Sequence, residues 1–235
     1  HEQILREALE ATSRMDLQRP PAVLAQGVHR RIRELCGDSD PYLACKDQFN
    51  QLALSILPDF REHLKHAQDP WKDAVRLAIA GNIMDLAVNS ALGEAEAEAS
   101  IMQAMSEPLA GNAADFATAI AQAESILYLT DNAGEIVFDR LVIEQLPAEK
   151  VTVAVRGGPV INDATRHDAE VAGLTDLVRV IDNGSDAPGT LLEDCSPAFR
   201  QCFEEADLIV AKGQGNYETL RESPRPIFFL LRVKC

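Results

Sequence analysis

The segment from Ser125 to Asp139, SILYLTDNAGEIVFD, constrains the fold more than any other part of this chain. An apolar run ends in Asp131-Asn132-Ala133-Gly134-Glu135, and an amphipathic helix pattern follows at once. This order predicts a buried strand that leads directly into a helix. Ligands of open α/β sheets bind in the crevice outside the carboxyl ends of the strands. We therefore expect Asp131 and Asn132 to lie at a ligand site.

Two kinds of ligand fit this strand end. The oxygen donors of Asp131 and Asn132 suit a hard divalent cation such as Mg²⁺ or Mn²⁺. The first turn of the following helix, at Gly134 and Glu135, offers backbone N–H groups to an anion. The pattern thus predicts a cation site beside a phosphate site. The alternative is that the two Asx residues only cap the helix or form a turn.

The pattern of the chain changes near residue 124. Helix patterns dominate before it, whereas short β-branched runs alternate with helix-length segments after it. Such alternation is typical of a parallel sheet covered by helices. We predict an all-helical domain over residues 1–123 and a Rossmann-like α/β domain, with a mainly parallel sheet flanked by helices, over residues 124–235. The predicted strands are 125–130, 150–155, 177–181, 207–211 and 227–233, with helices at 135–146, 162–172, 197–206 and 217–221.

The amino-terminal part shows five helix patterns. Pro58 interrupts the third of them and should kink or split that helix. In the fourth, Asn82 and Asp85 stand three residues apart on one face and interrupt an apolar stretch. Such polar groups either satisfy each other in the core or line a cleft. The predicted helices cover 1–15, 22–36, 41–67, 71–90 and 95–105.

The charge and cysteine content exclude several classes of function. The chain has 235 residues and a formal net charge of -15, from 37 acidic and 22 basic residues. Nucleic acids and anionic membranes need a basic surface, so we expect neither as a partner. No apolar run has membrane-spanning length. The five cysteines are odd in number and lack CxxC spacing, so we expect no disulfide framework and a cytoplasmic protein. Zinc is disfavoured because the sequence has no HExxH motif and no cysteine-histidine cluster.

Other predicted strands also end in polar or glycine-rich turns, which a parallel sheet gathers on one edge. Asp163 follows the second strand and either caps a helix or completes an Asp/Asn/Asp oxygen set with Asp131 and Asn132. Lys212 follows the fourth strand and is either a solvated charge or a contact for a phosphoryl oxygen. The turns in question are Arg156-Gly157-Gly158, Asp182-Asn183-Gly184-Ser185-Asp186 and Lys212-Gly213-Gln214-Gly215-Asn216.

Six motifs in order give the chain a specific resemblance to a known family. From about residue 40 to the last residue, it resembles the metal-dependent damage-control phosphatases, some of which have been described as acidic-residue carboxyl methyltransferases. The motifs are Asp40-Pro41-Tyr42 with Lys46 and Asn50, Gly81-Asn82 with Asp85, Thr130-Asp131-Asn132-Ala133-Gly134-Glu135, Arg156-Gly157-Gly158-Pro159 with Asn162-Asp163-Ala164-Thr165, the loop from Asp182 to Gly189, and Lys212-Gly213 with Asn216-Tyr217.

The resemblance implies a helical domain that caps a Rossmann-like sheet, with a divalent metal in the cleft. The metal ligands that it implies are Asp131, Asn132 and Asp163, and Mg²⁺, Mn²⁺, Co²⁺ and Ni²⁺ all suit such a set. It further implies that Lys212 contacts the phosphate and that Asn82 and Asp85 are polar cleft residues. The implied activity is hydrolysis of small phosphomonoesters, such as sugar phosphates or damaged phosphometabolites.

Our working hypothesis from the sequence is therefore a metal-dependent phosphatase. The attacking water would be activated by the metal or by a carboxylate, with Asp85 and Asp186 as candidates, and a carboxylate nucleophile remains an alternative. The predicted substrate contacts are Asn82, Gly134, Glu135, Asp186, Lys212 and Asn216. One rival is a methyltransferase that uses S-adenosylmethionine, and another is a non-catalytic module that binds a metal or a nucleotide. A haloacid-dehalogenase-type phosphatase is disfavoured because no DxDx[TV] motif follows a strand.

Overall fold

The computed structural model describes residues 2–16, 18–37, 39–82 and 94–233. The amino-terminal part is helical, and local signals explain several helix ends. Pro21 occupies the first turn of the second helix, which ends at Gly37 with a φ of 65°. The Asp69 side chain caps the fourth helix by accepting from the Lys72 N–H. The helices are α1 (Glu2–Ser13), α2 (Pro21–Cys36), α3 (Leu43–His66), α4 (Pro70–Ala80), α5 (Glu94–Ser106) and α6 (Ala113–Gln122).

The remainder of the described chain is an α/β unit built on a parallel sheet. Its strands are β1 (Ile126–Leu129), β2 (Val151–Val155), β3 (Arg179–Asp182), β4 (Leu208–Lys212) and β5 (Ile227–Leu230). The helices between them are α7 (Glu135–Ile143), α8 (Arg166–Val171), α9 (Pro197–Glu205) and α10 (Gly213–Leu220). This arrangement confirms the predicted fold class, with each of the five strands close to its predicted position.

The strand order defines where a ligand site is expected. The order is β3-β2-β1-β4-β5, and every neighbouring pair is parallel. The direction of winding therefore reverses between β1 and β4, and this switch point is where doubly wound sheets bind their ligands. Leu129 pairs with Ala211 across it, so Asp131 and Gly213 each follow two residues beyond a paired position.

The helical part packs on one face of the sheet through α7. Phe60 of α3 and Phe138 of α7 meet edge to face, with their ring centroids 5.7 Å apart. Both belong to a core cluster that also contains Tyr128 of β1 and Leu77 of α4. Because this cluster includes residues from both sides of residue 123, the two parts share one core. The division into domains at that residue remains a prediction.

Several local predictions differ from the structure, and three of them concern where a helix begins, ends or exists. Pro58 does not split α3, which runs through it; the proline lies on the exposed side while Leu57 and Phe60 anchor the helix to the core. Helix α6, capped by the Asn112 side chain, was not predicted, and its only buried residue is Phe116. Helix α10 begins at Gly213 rather than Tyr217, so the Gly-Gln-Gly segment is helical and not a loop.

Candidate functional site

The predicted Asp/Asn/Asp set is assembled by backbone pairing between two loops. Asn132 and Asp163 form an isolated antiparallel bridge. The Ala164 N–H donates to the Asp131 carbonyl at 2.7 Å, and the Ala133 N–H donates to the Asn162 carbonyl at 2.8 Å. These bonds hold the loop after β2 against the loop after β1. The three side chains of the set are all buried at this edge.

The Arg156 guanidinium connects the two carboxylates of this set. It follows β2, and its Nε donates to Asp163 Oδ2 at 2.6 Å. Its Nη2 lies 4.0 Å from Asp131 Oδ1. Asn132 Nδ2 donates to the other oxygen of Asp131, at 2.9 Å. Sequence reasoning did not select Arg156 as a site residue, although its position directly before a Gly-Gly turn at a strand end was a usable signal.

The donors of this set fit a hard divalent cation. Two carboxylates and an amide oxygen are the ligands that Mg²⁺ and Mn²⁺ prefer, and they leave coordination positions for water or phosphate. Within the described ranges no group of three or more His, Cys, Asp or Glu side chains is arranged to hold a metal. The Asp/Asn/Asp set is compatible with that finding, because one of its three members is an amide.

Gly213 opens the space next to Asp131. It has a φ of 77°, and a Cβ atom at this position would collide with the Asp131 carboxylate. A residue with a side chain would thus be strained by its backbone conformation and would displace the carboxylate. The glycine after Lys212 is needed for close approach of β4 to the Asp131 side chain.

Glu135, in the first turn of α7, links the Asp/Asn/Asp set to the interior. Its Oε2 accepts from Asn82 Nδ2 at 2.7 Å and from Asn132 Nδ2 at 3.2 Å. Its Oε1 accepts from Lys212 Nζ at 2.6 Å. Asn82 also donates to Asp131 Oδ2, at 3.3 Å. Asn82 therefore reaches the Asp/Asn/Asp set from the helical part, whereas Asp85 lies outside the described residues.

Lys212 is completely buried, with an exposed fraction of 0%. Its Nζ contacts three acceptors, namely the Ala78 carbonyl at 2.8 Å, Glu135 Oε1 at 2.6 Å and Asp139 Oδ1 at 2.6 Å. Burial alone would lower the pKa of Lys212, but the Asp139 and Glu135 carboxylates outweigh it and raise the pKa. The lysine is thus a buried cation whose three N–H groups all face protein acceptors.

Asp139 is the second carboxylate that pairs with Lys212, and it lies on the interior side of this buried ionic cluster. Burial raises the pKa of its carboxyl to about 6, although the Lys212 ammonium acts in the opposite direction. Its Oδ1 also accepts from the Tyr128 hydroxyl at 2.8 Å. Its Oδ2 has no hydrogen-bond partner in the described part of the chain. No local pattern indicated this role, since Asp139 is simply one residue of an amphipathic helix in the sequence.

Gly134 and Asn216 have protein partners where the sequence predicted substrate contacts. The Gly134 N–H donates to Asn50 Oδ1 at 2.7 Å. Asn216 Nδ2 donates to the carbonyls of Thr130 and Lys212, and its Oδ1 accepts from the Thr190 hydroxyl at 2.8 Å. Asn216 therefore ties β1 to β4 across the switch point.

Asn50 belongs to a buried network that anchors α3 to the sheet. Its Nδ2 donates to Asp168 Oδ1 at 2.8 Å, and Lys46 Nζ lies 3.3 Å from Asp168 Oδ2. Lys46 is also 2.8 Å from Asp40 Oδ2. The four-residue spacing of Lys46 and Asn50 on one helical face was the signal for this network in the sequence.

Asp186 pairs with α2 in this structure. Its carboxylate accepts from Arg33 and from Arg30, and Gln26 Nε2 donates to it at 2.8 Å. Burial would raise the pKa of Asp186, but the hydrogen bonds from Arg30 and Gln26 outweigh it and lower the pKa. These contacts fasten the loop that follows β3 to the amino-terminal helices, which explains the position of this carboxylate.

Comparison with known proteins identifies the family. A sequence profile of the damage-control phosphatase ARMT1-like domain matches residues 1–235. The chain belongs to the damage-control phosphatase family. A damage-control phosphatase of Archaeoglobus fulgidus is 39% identical over 219 residues, which cover 91% of this chain and 76% of that protein. One from Pyrococcus horikoshii is 36% identical over 220 residues, which cover 92% of this chain and 75% of that protein.

A solved structure supports the same assignment. The crystal structure of a DUF89 family protein from Pyrococcus horikoshii matches with a TM-score of 0.86 and 32% identity, over 100% of this chain and 84% of that one. The resemblance drawn from the six motifs is thereby confirmed. Membership of the damage-control phosphatase family indicates a phosphatase of the metabolite-repair type. Among the described residues no helix has both the length and the apolar character to cross a membrane.

Proposed function

We propose that this damage-control phosphatase is a divalent-metal-dependent hydrolase of small phosphomonoesters, such as sugar phosphates or damaged phosphometabolites. The observation that carries the proposal is the convergence of Asp131, Asn132 and Asp163 at the switch point between β1 and β4. Mg²⁺, Mn²⁺, Co²⁺ and Ni²⁺ are the candidate ions, because each accepts oxygen ligands of this kind.

The proposed ligands are the carboxylates of Asp131 and Asp163 and the amide oxygen of Asn132. A divalent cation supplies Lewis-acid polarisation of a phosphoryl oxygen and offsets negative charge in the transition state. Glu135 and Asn82 support this role because they bond to Asn132 and Asp131 and so orient the proposed ligands. Holding ligand geometry before substrate arrives reduces the reorganisation that the reaction requires.

Lys212 contributes a fixed positive charge close to the proposed phosphate position. A phosphoryl oxygen would contact its Nζ only by replacing one of its present acceptors, and the Ala78 carbonyl is the neutral one among them. Asp85 is our first candidate for activating the attacking water, since Asp186 is held by Arg30 and Arg33. A hydrogen-bonded carboxylate with a lowered pKa is a poor base.

Phosphate release from a panel of sugar phosphates and p-nitrophenyl phosphate tests the proposal. The protein is stripped with chelator and assayed with each of the four metals, and metal binding is measured by calorimetry. Asp131→Asn and Asp163→Asn should lose both metal binding and turnover while keeping the fold. Asp182→Asn is the matched control, because this aspartate lies at the same sheet edge but is exposed and bonds to the Gly184 N–H.

The outcomes separate the phosphatase from its rivals. Metal-dependent release that disappears in both site variants and persists in Asp182→Asn supports the proposal. Folded protein that releases no phosphate with any metal contradicts it. Binding of S-adenosylmethionine without metal would instead favour methyl transfer, and metal binding without turnover would favour a non-catalytic module.

A further inference from the structure

Arg156 carries a buried hydrogen-bond donor that no protein group in the described part of the chain uses. The residue is 3% exposed, and its Nη2 has no hydrogen-bond partner among the residues that the structure describes. Its other nitrogens are engaged, with Nε on Asp163 and Nη1 near Thr190 Oγ1 and Asn216 Oδ1. Leaving a buried donor of a charged group unpaired is costly, so its retention calls for an explanation.

The position of this donor is set by several independent contacts. The Arg156 N–H donates to the Ala164 carbonyl at 2.9 Å, and Arg156 also forms a parallel bridge with Thr165. The ion pair with Asp163, at 2.6 Å, then fixes the plane of the guanidinium. A guanidinium held in this way presents its remaining N–H groups in a defined direction.

This donor lies beside the proposed metal site. Nη2 lies 4.0 Å from Asp131 Oδ1, which is too far for a hydrogen bond but within the range of a charge interaction. The guanidinium therefore stands between the two carboxylates that are proposed as metal ligands. A group bound at this site would meet the unpaired N–H.

Two of the other donors predicted for the phosphate are already engaged. Lys212 Nζ faces three acceptors, and the Gly134 N–H donates to Asn50. Arg156 Nη2 differs from both of them because it needs no bond to be broken before it can donate. Arginine also binds phosphate strongly through charge-assisted hydrogen bonds.

We propose that Arg156 binds the phosphoryl group of the substrate through Nη2 and holds it against Asp131, Asn132 and Asp163. This inference rests on the proposed phosphatase function and adds a substrate-binding residue to it. The group recognised is the phosphoryl group and not the leaving group. Arg156 therefore contacts the phosphoryl group of every phosphomonoester that the enzyme accepts. It also binds the product, inorganic phosphate.

Arg156→Lys tests this inference. The variant keeps a positive charge, but a single ammonium cannot bond Asp163 and also present the second donor in the plane of a guanidinium. We expect kcat/KM to fall about 10- to 100-fold, by a similar factor for all substrates of the panel, because one charge-assisted hydrogen bond is lost. The inhibition constant of inorganic phosphate should rise by a comparable factor, while metal affinity stays within about threefold.

Arg140→Lys is the matched control. Arg140 is a partly buried arginine that bonds to Glu144 and to the Ala172 carbonyl, away from the strand ends. It should leave the kinetics and phosphate binding unchanged. Unchanged phosphate inhibition in Arg156→Lys with normal metal binding would overturn the inference. A loss of metal affinity without any change in phosphate inhibition would also overturn it, because Arg156 would then only position Asp163.

Calorimetry with inorganic phosphate separates this inference from the phosphatase proposal. If the metal-loaded wild-type protein binds phosphate and Arg156→Lys does not, Arg156 is a phosphate ligand even in the absence of turnover. If the wild-type protein neither turns over nor binds phosphate, both proposals fail. Should Arg156→Lys not fold, a crystal structure of the wild-type protein at saturating phosphate decides, since an anion that makes no contact with Nη2 overturns the inference.

Discussion

Gly213 and Asp131 face each other so closely across the switch point that no side chain fits between them. A Cβ atom at Gly213 would collide with the Asp131 carboxylate, and the φ of 77° at Gly213 also disfavours any other residue. Two separate requirements, space and backbone conformation, therefore meet at one position. This relationship ties the end of β4 to the first residue of the proposed metal site.

Gly213→Ala should impair both stability and the site. The unfavourable φ costs about 1 kcal/mol, and the displaced carboxylate adds to this cost and weakens metal binding at least about tenfold. Urea unfolding and metal calorimetry measure the two effects. Gly37→Ala is the control, because Gly37 has a φ of 65° but no heavy atom lies within 4 Å of the place that a methyl group would occupy. Equal metal affinity in both variants would contradict the close approach.

Lys212→Met should destabilise the protein strongly. Removing the ammonium leaves Glu135 and Asp139 as buried like charges without their cation, which typically costs about 3–5 kcal/mol. Adding Asp139→Asn should recover part of the loss, because one of the uncompensated carboxylates is then neutral. Urea unfolding of the single and double variants gives the coupling energy. Lys65→Met, which removes an exposed pair with Glu62, should stay within about 0.5 kcal/mol of wild type.

Asn50→Ala should lower activity by loosening the turn after β1. The substitution removes the acceptor of the Gly134 N–H and a donor to Asp168, and each buried group left unpaired costs about 1–3 kcal/mol. Thermal unfolding and kcat/KM would both report the loss. Asp47→Ala, on the exposed side of the same helix, should leave both unchanged. Wild-type kinetics in Asn50→Ala would show that this contact does not position the turn.

The pH dependence of stability should show the contribution of Asp186. Its pKa in the folded state is lowered, so its stabilising effect is present above the unfolded value of about 3.9 and is lost as the pH falls through the folded value. Asp186→Asn should therefore flatten the decline of stability below about pH 4. At pH 7 the variant should lose about 1 kcal/mol, given the partial exposure of the arginine partners.

Chemical unfolding between pH 3 and pH 7 measures this difference. Asp182→Asn serves again as the control at the same edge of the sheet. If wild-type protein and Asp186→Asn lose stability in parallel below pH 4, the ion pairs with α2 do not hold this loop in solution.

The arrangement of the strands could be predicted because its signals are local. Alternation of β-branched runs with helix-length segments located each strand, and the polar turn at Asp131 and Asn132 located the edge that carries the site. The start of α10 was predicted wrongly because glycines favour turns but also occur at helix ends. Gly213 and Gly215 suggested a loop, but α10 begins there because a glycine at its first position permits the φ that the turn requires.

The sequence by itself determined the parallel α/β sheet, the helical amino-terminal part and the residues at the strand ends, because periodicity and turn chemistry act over a few neighbouring residues. Only the tertiary structure decided the partners of those residues. Lys212 bonds to Asp139 across 73 positions, and Asp186 pairs with Arg33 across 153. Such pairings depend on how the helices pack on the sheet. A buried charge is stable only when it is paired, and its partner is a residue that the fold brings close to it.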